Sequence, residues 1–190
     1  MKIIVTGGAG FIGSNLVDQL VLKGHHVIVI DNFVTGSKEN LKKSISKIKL
    51  IKKSILDKSI SKYFKNIDCV FHLAGLADIV PSINNPKKYF DYNVNGTLSI
   101  LECMRVNNVK KIIYSASASC YGKPKKFPTS ENSEIDTKYP YALTKYLGEK
   151  LVMHWGKIYK FNSVSTRFFN VYGPRSRTSG AYGAVFGVFL

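Results

Sequence analysis

Acidic residues are scarce in this chain. Asp and Glu number 12 against 28 Lys and Arg, a formal net charge of +16 over 190 residues. That imbalance suits an anionic ligand, nucleic acid or an acidic membrane alike, so charge alone does not choose among them. Cysteine is sparse too: Cys69, Cys103 and Cys120 are too few and too scattered for a disulfide framework or a zinc site, which fits a reducing compartment and no metal. Long apolar runs are missing. The run at 181–190 falls well short of the roughly 20 residues that span a bilayer, and the N-terminus has no signal-peptide layout, so a cytoplasmic chain with no membrane partner is expected. No aromatic ladder accompanies the lysines of 38–65, which alternate irregularly with Ile, Leu and Ser; base stacking wants such aromatics, and a solvated face is expected there, with no nucleic acid partner.

What is present begins at residue 2. The run Lys2-Ile3-Ile4-Val5-Thr6 leads into Gly7, Gly10 and Gly13, glycines at every third position between an apolar strand and an amphipathic helix over 11–22. This is the layout of a dinucleotide-binding turn. Gly7 would allow the tight turn, Gly10 would let backbone approach a pyrophosphate, and Gly13 would let the helix sit on its strand. The first N–H groups of the helix, at Phe11 and Ile12, and the positive end of its dipole would face phosphates. A glycine turn also ends strands in proteins that bind no nucleotide, so the remainder of the chain decides. A second apolar strand, 27–30, ends at Asp31-Asn32 about 20 residues after the glycines, where an acid can accept hydrogen bonds from an adenine ribose and repel a 2′-phosphate. NAD is favoured over NADP. The same Asp-Asn pair can also form a turn, and the two roles are compatible.

Further along, short helices are expected at 37–44 and 57–64, a third strand at 47–55, and a fourth at 69–75 running into a glycine turn. A long helix follows over 86–107 with Phe90, Val94, Leu98 and Leu101 on one face, and a fifth strand over 111–114. Apolar strands alternating with helices imply an α/β fold, a doubly wound parallel sheet covered on both faces. Residues 115–140 read as a loop beyond the fifth strand, leading to a helix from 141 to about 157. Tyr141 and Lys145 lie one turn apart on it, roughly 6 Å between Cβ atoms. A phenol with a pKa near 10 is a poor base unaided; lowering it by about three units takes about 4 kcal/mol, which a neighbouring ammonium and an oxidised nicotinamide can supply. Such a base could take a hydroxyl proton while the nicotinamide takes the hydride from the same carbon.

The glycine turn, Asp31-Asn32, His72-Leu73-Ala74-Gly75, Asn93-Val94-Asn95-Gly96-Thr97, the stretch from Tyr114 through Ser117 to Tyr121-Gly122, Pro140-Tyr141-Ala142-Leu143-Thr144-Lys145 and the stretch from Arg167 through Asn170 to Arg175 follow one order. In these motifs the chain resembles the extended short-chain dehydrogenase/reductases, within them the NAD-dependent nucleotide-sugar epimerase/dehydratase group that includes the UDP-glucose 4-epimerase-like enzymes. The resemblance implies that Tyr141 is the catalytic base, that Lys145 is its partner and holds the nicotinamide ribose, and that Ser117 hydrogen-bonds the reacting hydroxyl. It implies cofactor contacts at Gly7, Gly10, Phe11, Ile12, Gly13, Asp31, Asn32, Ile55, Leu73, Ala74, Gly75, Asn93, Ser115 and Phe168 besides the Tyr141–Lys145 pair, and a nucleotide-diphosphate contact at Asn170. The alternative for Ser117 is a strand-end cap only, and for Asn93 a structural helix residue.

Dehydratases of the group resemble Thr-Asp-Glu where this chain has Ser117-Ala118-Ser119. Without an acid at 118 or 119, 4-epimerisation of a nucleotide-diphosphate sugar is favoured over elimination, with decarboxylation also disfavoured. Many relatives have Asp where Ser54 stands, which weakens an adenine contact. Members usually exceed 300 residues, so the chain is expected to be a truncated one, with the cofactor domain over 1–168, the start of a substrate lobe over 169–190, and a homodimer formed through the long helices. A dehydratase or reductase is the rival enzyme. A silent NAD- or nucleic-acid-binding module is the rival of another class.

Overall fold

The computed structural model describes residues 1–176. The apolar run from residue 181 onward and most of the expected substrate lobe lie outside the described residues. Six strands form one parallel sheet in the order β3-β2-β1-β4-β5-β6. They are β1 (Lys2–Thr6), β2 (His26–Asp31), β3 (Ile48–Lys52), β4 (Cys69–His72), β5 (Lys111–Ser117) and β6 (Asn162–Phe168). Helix α1 (Phe11–Leu22) follows β1; α2 (Ile79–Asn84), α3 (Pro86–Tyr89) and α4 (Gly96–Val106) separate β4 from β5; α5 (Pro140–Tyr159) leads to β6.

The strands alternate their apolar side chains between two cores. Ile3, Val5, Val27 and Val29 pack with Val17 and Leu20 of α1, while Ile4, Ile28, Ile30 and Ile112 pack with Ile100, Leu101 and Met104 of α4 and Val152 of α5. Both faces of the central strands are therefore buried, which is why they read as unbroken apolar runs. Each such side chain contributes about 1.5–3 kcal/mol on leaving water.

The doubly wound parallel sheet is as expected, with differences at particular elements. β3 stops at Lys52 rather than continuing to 55, and the helices expected at 37–44 and 57–64 are short 3₁₀ turns at Lys38–Leu41, Ile45–Lys47 and Lys58–Phe64. β5 runs on to Ser117, so Ser115 and Ser117 belong to the strand and not to a loop. The long helix is broken into α3, a π-helical turn over Phe90–Asn95, and α4. Its buried face carries Tyr89, Asn93, Thr97, Ile100 and Met104; Phe90 is 36% exposed, and Val94 and Leu98 are half-buried. The wider π turn and two buried polar groups with hydrogen-bond partners displace the apolar face that hydrophobicity alone suggested. β6 has the sequence Asn-Ser-Val-Ser-Thr-Arg-Phe and lies at the sheet edge, where a polar strand is tolerated.

Candidate active site

In this strand order the chain reverses direction across the sheet between β1 and β4, the place where open α/β sheets bind ligands outside their carboxyl ends. Two loops meet there. Gly7 sits at φ +69°, and a Cβ on it would stand 2.7 Å from the Ala74 nitrogen. A Cβ on Gly13 would run into the Gly7 carbonyl oxygen and the Gly8 Cα, so the first turn of α1 can lie on the loop only if residue 13 is glycine. Ser14 donates its N–H to the Gly10 carbonyl at 3.0 Å and opens the helical ladder. The N–H groups of Phe11, Ile12 and Gly13 precede that ladder, and no acidic residue occupies the first turn. This end of α1 is formed for a phosphate.

Asp31 ends β2 beside it, 8% exposed. Its Oδ2 accepts the Ala9 N–H at 2.9 Å and its Oδ1 the Phe33 N–H at 2.8 Å, so the carboxylate holds the glycine turn as well as standing at its rim. Asn32 accepts the Val34 N–H at 3.2 Å. Both turn-forming roles are filled.

The loops after β1 and β4 are joined by one buried polar chain. Ala74 N–H donates to Thr6 Oγ1 at 3.3 Å, Thr6 Oγ1 is 2.7 Å from His72 Nδ1, His72 Nε2 is 3.0 Å from Thr97 Oγ1, and Thr97 donates to the Asn93 carbonyl at 2.6 Å. Because Thr97 spends its proton on Asn93, His72 must donate from Nε2 and accept at Nδ1. The ring is neutral: burial, with the Lys145 ammonium adding to it, pulls its pKa down to about 3. Asn93 is 1% exposed and its amide is engaged with protein, accepting the Leu76 N–H at 2.8 Å and donating to the Leu76 carbonyl at 3.1 Å and to Thr144 Oγ1 at 3.0 Å. It clamps the 73–76 loop to α5.

Helix α5 carries Tyr141 and Lys145. Pro140 opens it, and Ser82 of α2 accepts the Tyr141 N–H at 3.1 Å, satisfying one of the donors left free at a helix start. Burial pushes the Tyr141 phenol above its ordinary pKa, a hydrogen bond with Ser117 offsets part of that rise, and the Asp78 carboxylate adds to it. Ser117 accepts the Ser119 N–H at 3.2 Å and lies 2.8 Å from Ser119 Oγ, so it caps the turn after β5 while facing the phenol. Lys145 is 6% exposed and burial alone pulls its pKa down to about 7. A phenolate held by the Lys145 ammonium was expected; burial instead acts against the charged form of both groups.

The remaining expected residues divide. Leu73 and Gly75 lie in the loop after β4, with Gly75 close enough to Lys145 that an added Cβ would stand 3.8 Å from its Nζ. Ser115 and Phe168 lie near the carboxyl ends of β5 and β6, Phe168 paired in register with Ser117. Asn170 is exposed beyond β6. Ile55 follows the carboxyl end of β3, its side chain 4% exposed and packed against Gly96. His72, Ser82, Thr144 and Tyr114 were not anticipated as parts of the site; each acts through a partner distant in sequence, and although His72, Tyr114 and Thr144 stand inside the recognised motifs, Ser82 carries no such signal. The same holds for Glu149, whose carboxylate receives Arg167 Nε at 2.9 Å and Nη2 at 2.6 Å and so ties α5 to β6.

The model of the NAD dependent epimerase/dehydratase family matches residues 3–188. The chain belongs to that family. Over 179 residues it is 37% identical to the UDP-glucose 4-epimerase of Lactobacillus helveticus, covering 93% of this chain and 53% of the relative. The Thermotoga maritima UDP-glucose 4-epimerase, solved with UDP-glucose, superposes with a TM-score of 0.93 at 36% identity, covering 100% of this chain and 62% of that one. The Thermus thermophilus UDP-glucose 4-epimerase, solved with NAD, gives 0.89 at 34% identity over 96% of this chain and 60% of that one. This epimerase/dehydratase chain thus spans little more than half the length of the relatives it matches. Among its described residues no helix is long and apolar enough to cross a membrane, and no group of His, Cys, Asp and Glu could hold a metal ion.

Proposed function

We propose that this chain carries the cofactor half of a nucleotide-sugar 4-epimerase that uses NAD. The observation that carries the reading is the meeting of Ser117, Tyr141 and Lys145 on the carboxyl side of the sheet, beside a helix start formed for phosphate. The site fits NAD on its own chemistry. Lys145 is a buried ammonium whose donors suit ribose hydroxyls, Phe11 and Ile12 present N–H groups to a pyrophosphate, and the Asp31 rim suits an unphosphorylated adenine ribose.

When bound, NAD supplies a hydride acceptor that returns the hydride to the same sugar carbon. The chain's own residues handle the proton. As the phenolate, which burial opposes and the Ser117 hydrogen bond favours, Tyr141 Oη takes the proton of the sugar 4-hydroxyl and later returns it, and Ser117 Oγ holds that hydroxyl in line with it. Lys145 adds positive charge near the phenol and orients the cofactor. Asn170, exposed past β6, would meet the nucleotide diphosphate. With Ala118 and Ser119 beyond Ser117, the acid and base that elimination needs are missing there, which favours epimerisation over dehydration.

Homodimerisation belongs to the same reading. Val94 of the π turn and Leu147, Leu151 and Met153 of α5 line a groove rimmed by Lys150, His154 and Lys157, and the apolar part of a second copy would cover it. Light scattering gives the mass directly.

The deciding experiment incubates the protein with NAD and a panel of nucleotide sugars and follows the products by NMR. A C4 epimer supports the reading. A 4-keto-6-deoxy product replaces it with a dehydratase, and salt-sensitive RNA binding without NAD binding replaces it with a silent module.

A further inference from the structure

We propose that the opposite edge of the sheet carries a second anion site, one that takes the phosphate chain of a linear polyphosphate or of a nucleoside triphosphate. Parallel strands β1, β2 and β3 begin in one row, with Lys2 paired to His26 and Val27 to Ile48, at the end of the sheet farthest from Gly7 and Asp31. The 3₁₀ turn at Lys58–Phe64 and the residues after it close over that row and form a cleft of about 660 Å³. Lys2, Lys47, Lys49, Lys62 and Lys65 all line it, and among the described residues no carboxylate does. Asp68 stands nearby, its Oδ2 accepting the Lys2 backbone N–H at 2.7 Å.

Five ammonium groups around one concavity repel one another and focus a positive potential into it. A multivalent anion removes that repulsion, and a chain of phosphates matches several separate point charges better than a single phosphate does. The same cleft argues against stacked bases. Besides the His26 imidazole its one ring among the described residues is Tyr63, which has the Lys49 and Lys62 ammonium groups each 5.3 Å from its centre, so cations and not bases attend that ring. Both lysines are exposed, and replacing them leaves the core untouched.

The test is calorimetric titration of the whole chain with tripolyphosphate at low salt, with and without excess NAD, for the unmodified protein and for Lys49→Gln/Lys62→Gln. The expected result is one saturable site, unmoved by NAD and weakened about tenfold or more in the double variant. Equal binding by both proteins, or displacement of tripolyphosphate by NAD, would overturn the proposal, since the anion would then occupy another surface or the cofactor turn. ATP binding more tightly than tripolyphosphate assigns the site to nucleotides, and equal affinities assign it to the bare chain. A uridine oligonucleotide that binds more tightly per phosphate and is lost in the double variant overturns it in favour of nucleic acid.

Discussion

The Lys145 ammonium stands 4.5 Å above the centre of the Tyr114 ring, while the Tyr114 hydroxyl donates to the Lys145 carbonyl at 3.3 Å. One tyrosine thus supports the lysine at both ends, its face under the charge and its edge against the helix backbone. A ring face holds a cation weakly, by about 2 kcal/mol when desolvated, which is less than burial takes away. The result is a lysine poised near neutrality, with a pKa pulled down to about 7.

That value fixes a pH dependence. Lys145 binds a proton up to its ordinary pKa of 10.5 when unfolded but only up to about 7 when folded, so the unfolded chain holds more protons between these limits. Stability of the ligand-free protein therefore rises with pH from about 7 towards 10.5. Lys145→Met should remove this rise, which denaturant titrations of both proteins at pH 7 and pH 9.5 would reveal; equal slopes would disprove the assignment.

Acid acts in the same sense through His72. Its pKa falls from 6.5 to about 3 on folding, so stability is lost as pH drops across that interval. His72→Leu abolishes this acid sensitivity but leaves the Thr6 proton without its acceptor and Thr97 without one donor, and should cost about 1–3 kcal/mol at neutral pH.

In the proposed mechanism the phenol of Tyr141 serves proton transfer and not the helix. Tyr141→Phe should stop sugar-dependent reduction of bound NAD while changing NAD affinity by no more than about threefold. Absorbance at the nicotinamide band, read alongside a fluorescence titration of NAD, separates the two. Undiminished reduction would remove Tyr141 from the mechanism.

Gly13→Ala places a methyl group against the Gly7 carbonyl and the Gly8 Cα, 2.8 Å from the latter. Either the turn opens or the helix lifts, so NAD binding should weaken more than about tenfold and stability should fall by about 2–4 kcal/mol. Near-normal binding would show that the glycine turn is not the cofactor's seat.

One substitution separates the turn-holding role of Asp31 from the ribose-facing role proposed for it. Asp31→Ser should narrow the preference for NAD over NADP by at least about tenfold and, because the Ala9 and Phe33 N–H groups lose their acceptor, should cost about 1–3 kcal/mol of stability. A loss of stability with unchanged selectivity would leave Asp31 only its role in the turn.

The sheet and the sharing of one helix face by Tyr141 and Lys145 were legible in the sequence because both depend on short periods. Unbroken apolar strands reveal double burial, and Tyr141 with Lys145 share a face by helical spacing alone. β6 was not legible, since an edge strand of Ser, Thr and Asn carries no apolar run. The buried face of the long helix was misread at Phe90 and Val94 because hydrophobicity cannot register that Asn93 and Thr97 are buried with their partners supplied. The supports of the site, Ser82 under Tyr141 and Tyr114 under Lys145, join residues 59 and 31 positions apart and leave no local signature.

The chain of hydroxyls through His72 has a sense as well as a length. Every link from the Ala74 N–H to the Asn93 carbonyl both receives and gives a proton, so reversing any one would set donor against donor at one end and lone pair against lone pair at the other. The two walls of the crevice are therefore keyed like a lock with one permitted orientation. A variant that preserves volume but not polarity, such as Thr97→Val, would leave the walls in contact and free to slip.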